Sequence, residues 1–175
     1  MNFFPHASVQ IPRRGNGLID ADKLSLASFW TDVEEQQEGL SSAIGCYIFS
    51  IRAGKGVLPW YVGMAEKQSF RKECFQSHKL VHYNNAVAKR RGTPLLTLIA
   101  KYNPNERLTT PNGKQHRDIQ FLETMLISSC LARNAGLYNI KDTKFVREMI
   151  LPGLLNPGPW KREASVKEFK MILGT

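Results

Sequence analysis

Two neighbouring segments rich in β-branched and aromatic residues constrain the fold of this chain more than any other feature. Residues 44–51 and 57–63 both have the composition of β-strands, and the turn-forming residues 53–56 lie between them. The pair predicts a β-hairpin with a longish loop. Pro59 lacks a backbone N–H, so it indicates an edge strand or the first residue of a strand. Because a hairpin cannot cover both of its own faces, we expect helices to pack against it.

Helical patterns occur on both sides of the hairpin, and one further strand follows it. Asp20 can cap a helix that runs to about Glu38, and Gly39 can end that helix. Residues 118–133 have the clearest helical pattern, because apolar residues recur there at helical spacing. The other expected elements are a helix over residues 69–82, a buried strand over 94–102, a short helix from Asp142 and an amphipathic helix over 161–173.

The order of these elements predicts an α/β (α+β) fold, in which a small, mostly antiparallel three-stranded sheet is flanked by helices. Residues 1–19 are expected to be irregular because proline and glycine interrupt them, residues 103–116 are expected to form a loop or a second hairpin, and residues 157–159 are expected to form a linker. We therefore expect three parts. They are an N-terminal extension with one helix at 1–43, a core at 44–142 and a C-terminal helical extension at 143–175.

Positive charge is concentrated in the middle of the chain. The whole chain has 24 basic and 15 acidic residues, and residues 52–117 contain 13 of the basic residues but only three of the acidic ones. Such a field favours a polyanion, because each neutralised phosphate releases bound counterions; an ordinary solvated basic surface is an equal alternative. The run at residues 89–91 also fits a targeting signal. The candidate nucleic-acid contacts are Lys72, Lys79, Lys89, Arg90 and Arg91.

The cysteines and the apolar runs exclude several classes of protein. Cys46, Cys74 and Cys130 are scattered, form no metal-type pair and cannot all be joined in disulfides. No apolar run approaches the roughly 20 residues of a membrane-spanning helix, and the first residues do not have the pattern of a secretory signal. These features argue against secreted disulfide scaffolds, zinc ribbons and integral membrane proteins. We expect a reducing, cytoplasmic location.

Five short motifs follow one another along the core. Gly-Cys-Tyr at residues 45–47 lies on the first strand of the hairpin, and Tyr-Val-Gly at 61–63 lies on the second. Arg71 follows ten residues after Tyr61, Glu123 lies on the apolar face of the long helix, and Tyr-Asn-Ile stands at 138–140. In order and approximate spacing, the series resembles the GIY-YIG nuclease family over roughly residues 44–142.

The resemblance implies a site that cleaves phosphodiester bonds. In the family pattern Glu123 would hold one Mg²⁺ (or Mn²⁺), and Arg71 would neutralise the nonbridging phosphate oxygens. Either Tyr47 or Tyr61 would orient the attacking water or take its proton, and the two are not ranked at this point. Asn139 would brace the site. The implied activity is that of a metal-dependent endonuclease acting on DNA, which makes a nucleic acid the expected partner and excludes a membrane.

Two departures from the family pattern favour a second hypothesis. Phe75 stands where relatives usually carry a tyrosine or histidine, and His78 or His82 could supply that function from the next turns. Met64 replaces a lysine or small polar residue, for which Lys67 is the nearest substitute. The alternative is therefore a catalytically inactive module that binds nucleic acid or protein. A third, weaker alternative is a structural subunit whose basic face binds an acidic protein.

Each candidate residue also has an ordinary structural explanation. The two motif tyrosines fit half-buried strand aromatics, and the carboxylate of Glu123 fits a partner arginine as well as a metal. Asn139 fits a turn residue. Sequence specificity would come from residues 103–116, from a homodimer or from a partner protein.

Overall fold

The computed structural model describes residues 1–139, 143, 147–152, 154 and 163–174. These residues divide into two units, Met1–Tyr138 and Asn139–Thr175. Within the described residues, no helix is both long and apolar enough to span a bilayer. Asp142 and the linker at residues 157–159 lie outside the described residues. Of the short helix expected from Asp142 to Pro152, residues 147–148 are described and are helical.

The first unit is built on an antiparallel sheet whose strands are β1 (Asn2–Pro5), β2 (Val9–Gln10), β3 (Gly45–Ala53), β4 (Gly56–Ala65) and β5 (Thr93–Tyr102). Its helices are α1 (Lys23–Gln36), a 3-10 turn (Leu40–Ser42), α2 (Phe70–Glu73), α3 (Ser77–Ala88) and α4 (Arg117–Arg133). The second unit contains α5 (Glu163–Leu173), which agrees with the expected C-terminal helix. The α+β class is therefore confirmed.

The hairpin supplies an edge strand of the sheet. The strand order is β1-β5-β3-β4, with β2 pairing to β5, so β4 is an edge strand as Pro59 predicted. Phe49 pairs with Tyr61 and Ser50 pairs with Pro59, which leaves Trp60 as the extra residue of a β-bulge. A bulge re-aims the side chains beside it. This explains why Trp60 and Tyr61 belong to the same hydrophobic cluster, although they are consecutive in the strand.

Three expectations about the strands were wrong. Residues 1–19 are not wholly irregular, because β1 and β2 both pair with β5, and the sheet therefore has five strands and not three. The hairpin loop is short, since β3 continues to Ala53 and β4 begins at Gly56. Only Gly54 and Lys55 form the turn, and Gly54 has the positive φ of 55° that such a turn requires.

Two helix expectations also need correction. Helix α1 is capped by Asp22, whose side chain accepts the Ser25 N–H at 2.8 Å, whereas Asp20 accepts the Ser25 hydroxyl. The helix expected over residues 69–82 is two helices, because Gln76 adopts an extended backbone and begins α3 afresh. The restart changes which residues of α3 face the sheet.

The two faces of the sheet carry separate clusters. Tyr47, Phe49 and Tyr61 point to the face covered by α1, α2 and α3. The opposite face carries Cys46 and Val62 and is covered by α4. The motif tyrosines are thus packed under one layer of helices, and the helix that carries Glu123 forms the other layer.

Candidate active site

Lys79 and Tyr61 form a hydrogen-bonded pair on the edge strand of the sheet. The Nζ atom of Lys79 donates to the Tyr61 hydroxyl oxygen at 2.9 Å and lies 3.5 Å from a Glu73 carboxylate oxygen. The sequence placed Lys79 on the outward face of one long helix. Instead its side chain is buried, because the restart at Ser77 turns this position toward β4. Lys79 is therefore part of a buried polar cluster and does not face solvent.

The contacts of Lys79 keep it charged. Burial alone would lower the pKa of its ammonium group, but the hydrogen bond to Tyr61 and the charge of Glu73 outweigh burial and raise that pKa. Nζ also lies 5.3 Å from the centre of the Tyr61 ring. A fixed positive charge therefore stands beside the Tyr61 hydroxyl, in a setting where Coulomb interactions are stronger than in water.

His82 covers the Tyr61 ring from the same helix. The two ring centres are 5.0 Å apart and the planes are inclined by only 12°. Burial lowers the pKa of His82, and the charges of Lys79 and His78 lower it further. His78 itself is exposed. A neutral imidazole at neutral pH therefore stacks on the Tyr61 ring.

Replacing Lys79 with methionine is expected to raise the pKa of His82 toward its usual 6.5, because the substitution removes one of the charges that disfavour the imidazolium form. The His82 ring signals, followed by NMR through a pH titration, give this pKa directly. Lys72→Met is the matched control, since Lys72 is exposed on α2. A His82 pKa that is the same in wild type and Lys79→Met would contradict the arrangement.

Tyr47 lies beneath this pair and is fully buried. Its ring centre is 6.4 Å from that of Tyr61, and among the described residues its hydroxyl has no hydrogen-bond partner of ordinary geometry. Burial raises the pKa of Tyr47 well above its ordinary value, as does the neighbouring Tyr83. A phenol in such surroundings does not ionise readily. The structure therefore distinguishes two tyrosines that the sequence left unranked.

Tyr83 is a member of this cluster that sequence reasoning missed. It is fully buried, its ring lies 4.2 Å from Phe49 in a stacked arrangement, and it meets the Tyr61 ring edge-on at 6.0 Å. Burial raises its pKa well above the ordinary value. The sequence spacing could have identified Tyr83, because it follows Lys79 by one helical turn.

Gly63 makes room for the Tyr47 ring. A Cβ atom at position 63 would overlap the Cζ, Oη and Cε2 atoms of Tyr47. We expect Gly63→Ala to destabilise the fold by about 1–3 kcal/mol, because overpacking forces the ring or the strand to move. Thermal and denaturant unfolding measure this effect. Gly15→Ala is the control, since a Cβ there meets nothing within 4 Å, and it should change stability by no more than about 0.5 kcal/mol. Equal stabilities of the two variants would contradict the packing.

Arg71 is directed toward α1. Its guanidinium carbon lies 5.8 Å from the centre of the Trp30 ring. Burial alone would raise the pKa of Glu34, but hydrogen bonds from Ser41 and Gly39 and the charge of Arg71 lower it. The guanidinium of Arg71 therefore packs against α1, beside Trp30 and Glu34.

Phe75 is a core residue and leaves no vacant space. It packs edge-on against Phe29, Trp30 and Tyr83, with ring centres 5.1, 5.8 and 6.3 Å away. The aromatic cluster explains why the chain breaks between α2 and α3, because this break lets Phe70 and Phe75 both pack inward. The titratable neighbours of Tyr61 come instead from α3.

Glu123 lies on α4, in line with the buried residues Ile119 and Ile127, and it is half-buried. Burial raises the pKa of the Cys46 thiol, and the negative charges of Glu123 and Asp118 raise it further. The carboxylate of Glu123 is thus close to the sheet. Asp118 is engaged elsewhere, by an ion pair with Lys101 at 2.7 Å.

The described residues contain no cluster of three His, Cys, Asp or Glu side chains with the geometry of a metal site. A magnesium ion can be held by one carboxylate together with water and substrate phosphates. Glu123 fits that mode of binding, because its oxygens are of the type that Mg²⁺ prefers.

The remaining candidates occupy varied positions. Lys67, Lys72, Lys89 and Arg91 are exposed, and Arg90 is half-buried. Met64 packs on the α4 face of the sheet. Asn139 is the first residue of the second unit, where its carbonyl oxygen accepts the Thr143 hydroxyl at 3.3 Å.

No protein-family model, no curated protein and no solved structure matches this chain. A function for the site therefore depends on the residues that it contains and on the motifs that they form.

Proposed function

We propose that this protein is a metal-dependent endonuclease that hydrolyses phosphodiester bonds in DNA. The observation that carries the proposal is the hydrogen bond from Lys79 to the Tyr61 hydroxyl on the edge strand of the sheet. Tyr61 belongs to the second of the two hairpin motifs that resemble the GIY-YIG family. Among the described tyrosines of the cluster, Tyr61 is the one whose hydroxyl oxygen accepts a hydrogen bond from an ammonium group.

The chemistry of the cluster suits hydrolysis of a phosphodiester. Such a reaction needs an oriented water and positive charge near the phosphate oxygens. The Tyr61 hydroxyl orients the water or accepts its proton, and Lys79 stabilises the negative charge that develops there. His82, which is neutral near pH 7, lies within the same cluster as a second proton acceptor.

A divalent cation completes the proposal. Glu123 would hold Mg²⁺ or Mn²⁺, and the ion would act as a Lewis acid on the phosphate. Because α4 covers the face of the sheet opposite to Tyr61, the bound phosphate would have to lie at the edge strand β4 to meet both residues. Asn139 would brace the site, and this role is inferred from the Tyr-Asn-Ile motif alone.

The positions of Lys79 and Tyr83 also support the family resemblance. The family pattern has a cation followed one helical turn later by a tyrosine or histidine. Arg71 and Phe75 do not satisfy that pattern, whereas Lys79 and Tyr83 have its spacing and both contact Tyr61. Because Lys79 is buried, the charge that it would neutralise is the one that develops on the Tyr61 hydroxyl, and the role at the nonbridging phosphate oxygens stays a prediction for Arg71.

A second candidate function is that of a nucleic-acid-binding or protein-binding module without catalysis. The observation that favours it is the orientation of Arg71, whose guanidinium lies over Trp30 and not beside the motif tyrosines. Such a module would bind DNA with a steep dependence on salt and would leave it intact with any divalent ion.

One experiment separates the two functions. End-labelled duplex, branched and single-stranded DNA and RNA are titrated with the protein at several salt concentrations, and each mixture is then incubated with Mg²⁺ or Mn²⁺. Cleavage of at least one substrate is the result expected of the endonuclease. Binding without cleavage supports the inactive nucleic-acid-binding module, and neither binding nor cleavage overturns both the endonuclease and the nucleic-acid-binding module. The same titrations show whether binding has the stoichiometry of a monomer, a homodimer or a complex that needs a partner protein.

A further inference from the structure

A basic cavity of about 370 Å³ lies between the N-terminal segment and the end of α3, outside the tyrosine cluster. Four cations line it, together with Asn16: they are Arg13, Lys89, Arg90 and Arg91. Of the residues that the structure describes, those lining the cavity include no acid. The cavity therefore has a concentrated positive charge that the protein itself does not neutralise.

The two arginines that form the walls of this cavity are held in place before any ligand arrives. Arg13 donates to the carbonyl oxygens of Gly17 at 2.6 Å and Gly92 at 2.8 Å. The guanidinium of Arg90 lies 3.5 Å from the centre of the Trp60 ring and donates to the Ala86 carbonyl. Carbonyl partners fix a guanidinium without cancelling its charge, so little conformational entropy remains to be lost when an anion binds.

Each arginine keeps donors for a ligand. A guanidinium has five N–H groups, of which Arg13 uses three and Arg90 uses one within the described residues. Planar N–H pairs of this kind match the oxygens of a phosphate. Arg91 and Lys89, which are exposed at the mouth, add mobile charge.

A continuous series of aromatic contacts connects the cavity with the tyrosine cluster. From Tyr61 the series passes to His82 at 5.0 Å, then to Tyr138 at 6.1 Å, then to Trp60 at 5.9 Å and so to Arg90. His82, Tyr138 and Arg90 are all partly exposed. Trp60 and Tyr61 are themselves buried, so His82, Tyr138 and Arg90 are the members of this series that a ligand can reach between the proposed site and the cavity.

We propose that this cavity is a phosphate-binding subsite, and that it holds a backbone phosphate of the same DNA strand whose scissile phosphate lies at Tyr61. The proposal rests on the proposed nuclease function for the identity of the strand. The inference that the cavity binds a phosphate depends only on the contacts of Arg13, Arg90 and Trp60. The partly exposed rings of His82 and Tyr138 offer surfaces on which bases can stack, and the cations of the cavity that follow them offer partners for phosphates.

The first test compares two double variants that remove equal charge. Arg90→Gln with Arg91→Gln alters the cavity, and Lys23→Gln with Lys55→Gln alters exposed lysines elsewhere. For the cavity variant we expect about tenfold weaker DNA binding and a salt slope of log K that is smaller by about 2 than in the control pair. Equal slopes and affinities for the two pairs would overturn the proposal, while DNA cleavage by both would leave the nuclease function standing.

The second test uses tripolyphosphate as a probe, and it distinguishes a strand phosphate from a free phosphate compound. The Trp60 indole N–H signal is assigned by comparison with Trp60→Phe and followed by NMR as the probe is added. We expect both tripolyphosphate and a short DNA duplex to shift this signal in the wild type, and neither to shift it in the cavity variant. A shift by tripolyphosphate alone would mean that the cavity takes a free phosphate compound, and no shift with either probe would mean that it binds no phosphate. Both results overturn the proposal.

Discussion

Replacing Tyr61 with phenylalanine is expected to lower the rate of DNA cleavage by about 10²–10⁴-fold, because the change removes the hydroxyl that orients the water or takes its proton. DNA binding should remain, since the ring and its stacking on His82 are kept. Rate constants from single-turnover cleavage of an end-labelled duplex measure the effect. Gel-shift titration of the same duplex measures binding.

Tyr47→Phe is the matched control for Tyr61→Phe. Both substitutions remove one phenolic oxygen from neighbouring rings, but the Tyr47 hydroxyl is buried and makes no hydrogen bond of ordinary geometry among the described residues, although the Tyr83 hydroxyl lies near it. Loss of a buried, unpaired hydroxyl is close to neutral or stabilising. We therefore expect Tyr47→Phe to unfold at an equal or higher temperature and to cleave at nearly the wild-type rate. A larger loss of rate for Tyr47→Phe than for Tyr61→Phe would reverse the two assignments.

Glu123→Ala is expected to abolish Mg²⁺-dependent nicking of DNA and to leave gel-shift binding largely intact. The substitution removes the one carboxylate of the proposed metal site, whereas binding depends on cations elsewhere on the surface. Glu35→Ala, which removes an exposed acid on α1, serves as the control and should nick at the wild-type rate. Unchanged nicking by a folded Glu123→Ala protein would remove Glu123 from the reaction.

The central part of the fold could be predicted from the sequence because its signals are local. The hairpin, strand β5 and helix α4 each have a continuous pattern of strand or helix residues, and Pro59 correctly indicated the edge. The short strands β1 and β2 have no such pattern. They exist because β5 offers free hydrogen-bonding groups, which is a tertiary effect that no local signal records.

The candidate site was predicted in part. The motif identified Tyr47 and Tyr61, which the structure brings together. It did not identify Lys79, because that assignment depends on where α3 begins. A helix counted from Ser69 turns Lys79 outward, whereas one that restarts at Ser77 turns it onto Tyr61.

The difference between the two tyrosines also lay beyond sequence reasoning. Both belong to similar aromatic-glycine triplets on adjacent strands, so their patterns give no reason to separate them. Both are buried, and their contacts separate them, since the ring of Tyr47 lies over Gly63 while the hydroxyl of Tyr61 meets the Lys79 ammonium group. Contacts of this kind depend on the packing of the whole unit.

The proposed function requires the Tyr61 hydroxyl, held by Lys79, to act on a phosphodiester bond. Nicking of supercoiled plasmid by wild-type and Tyr61→Phe protein, with Mg²⁺ and with a chelator in its place, measures this requirement directly. We expect open-circular product from the wild type with Mg²⁺ only, and almost none from Tyr61→Phe. Equal nicking by the two proteins, or an intact plasmid with wild-type protein that binds it, would show that the Tyr61 hydroxyl does not act on DNA.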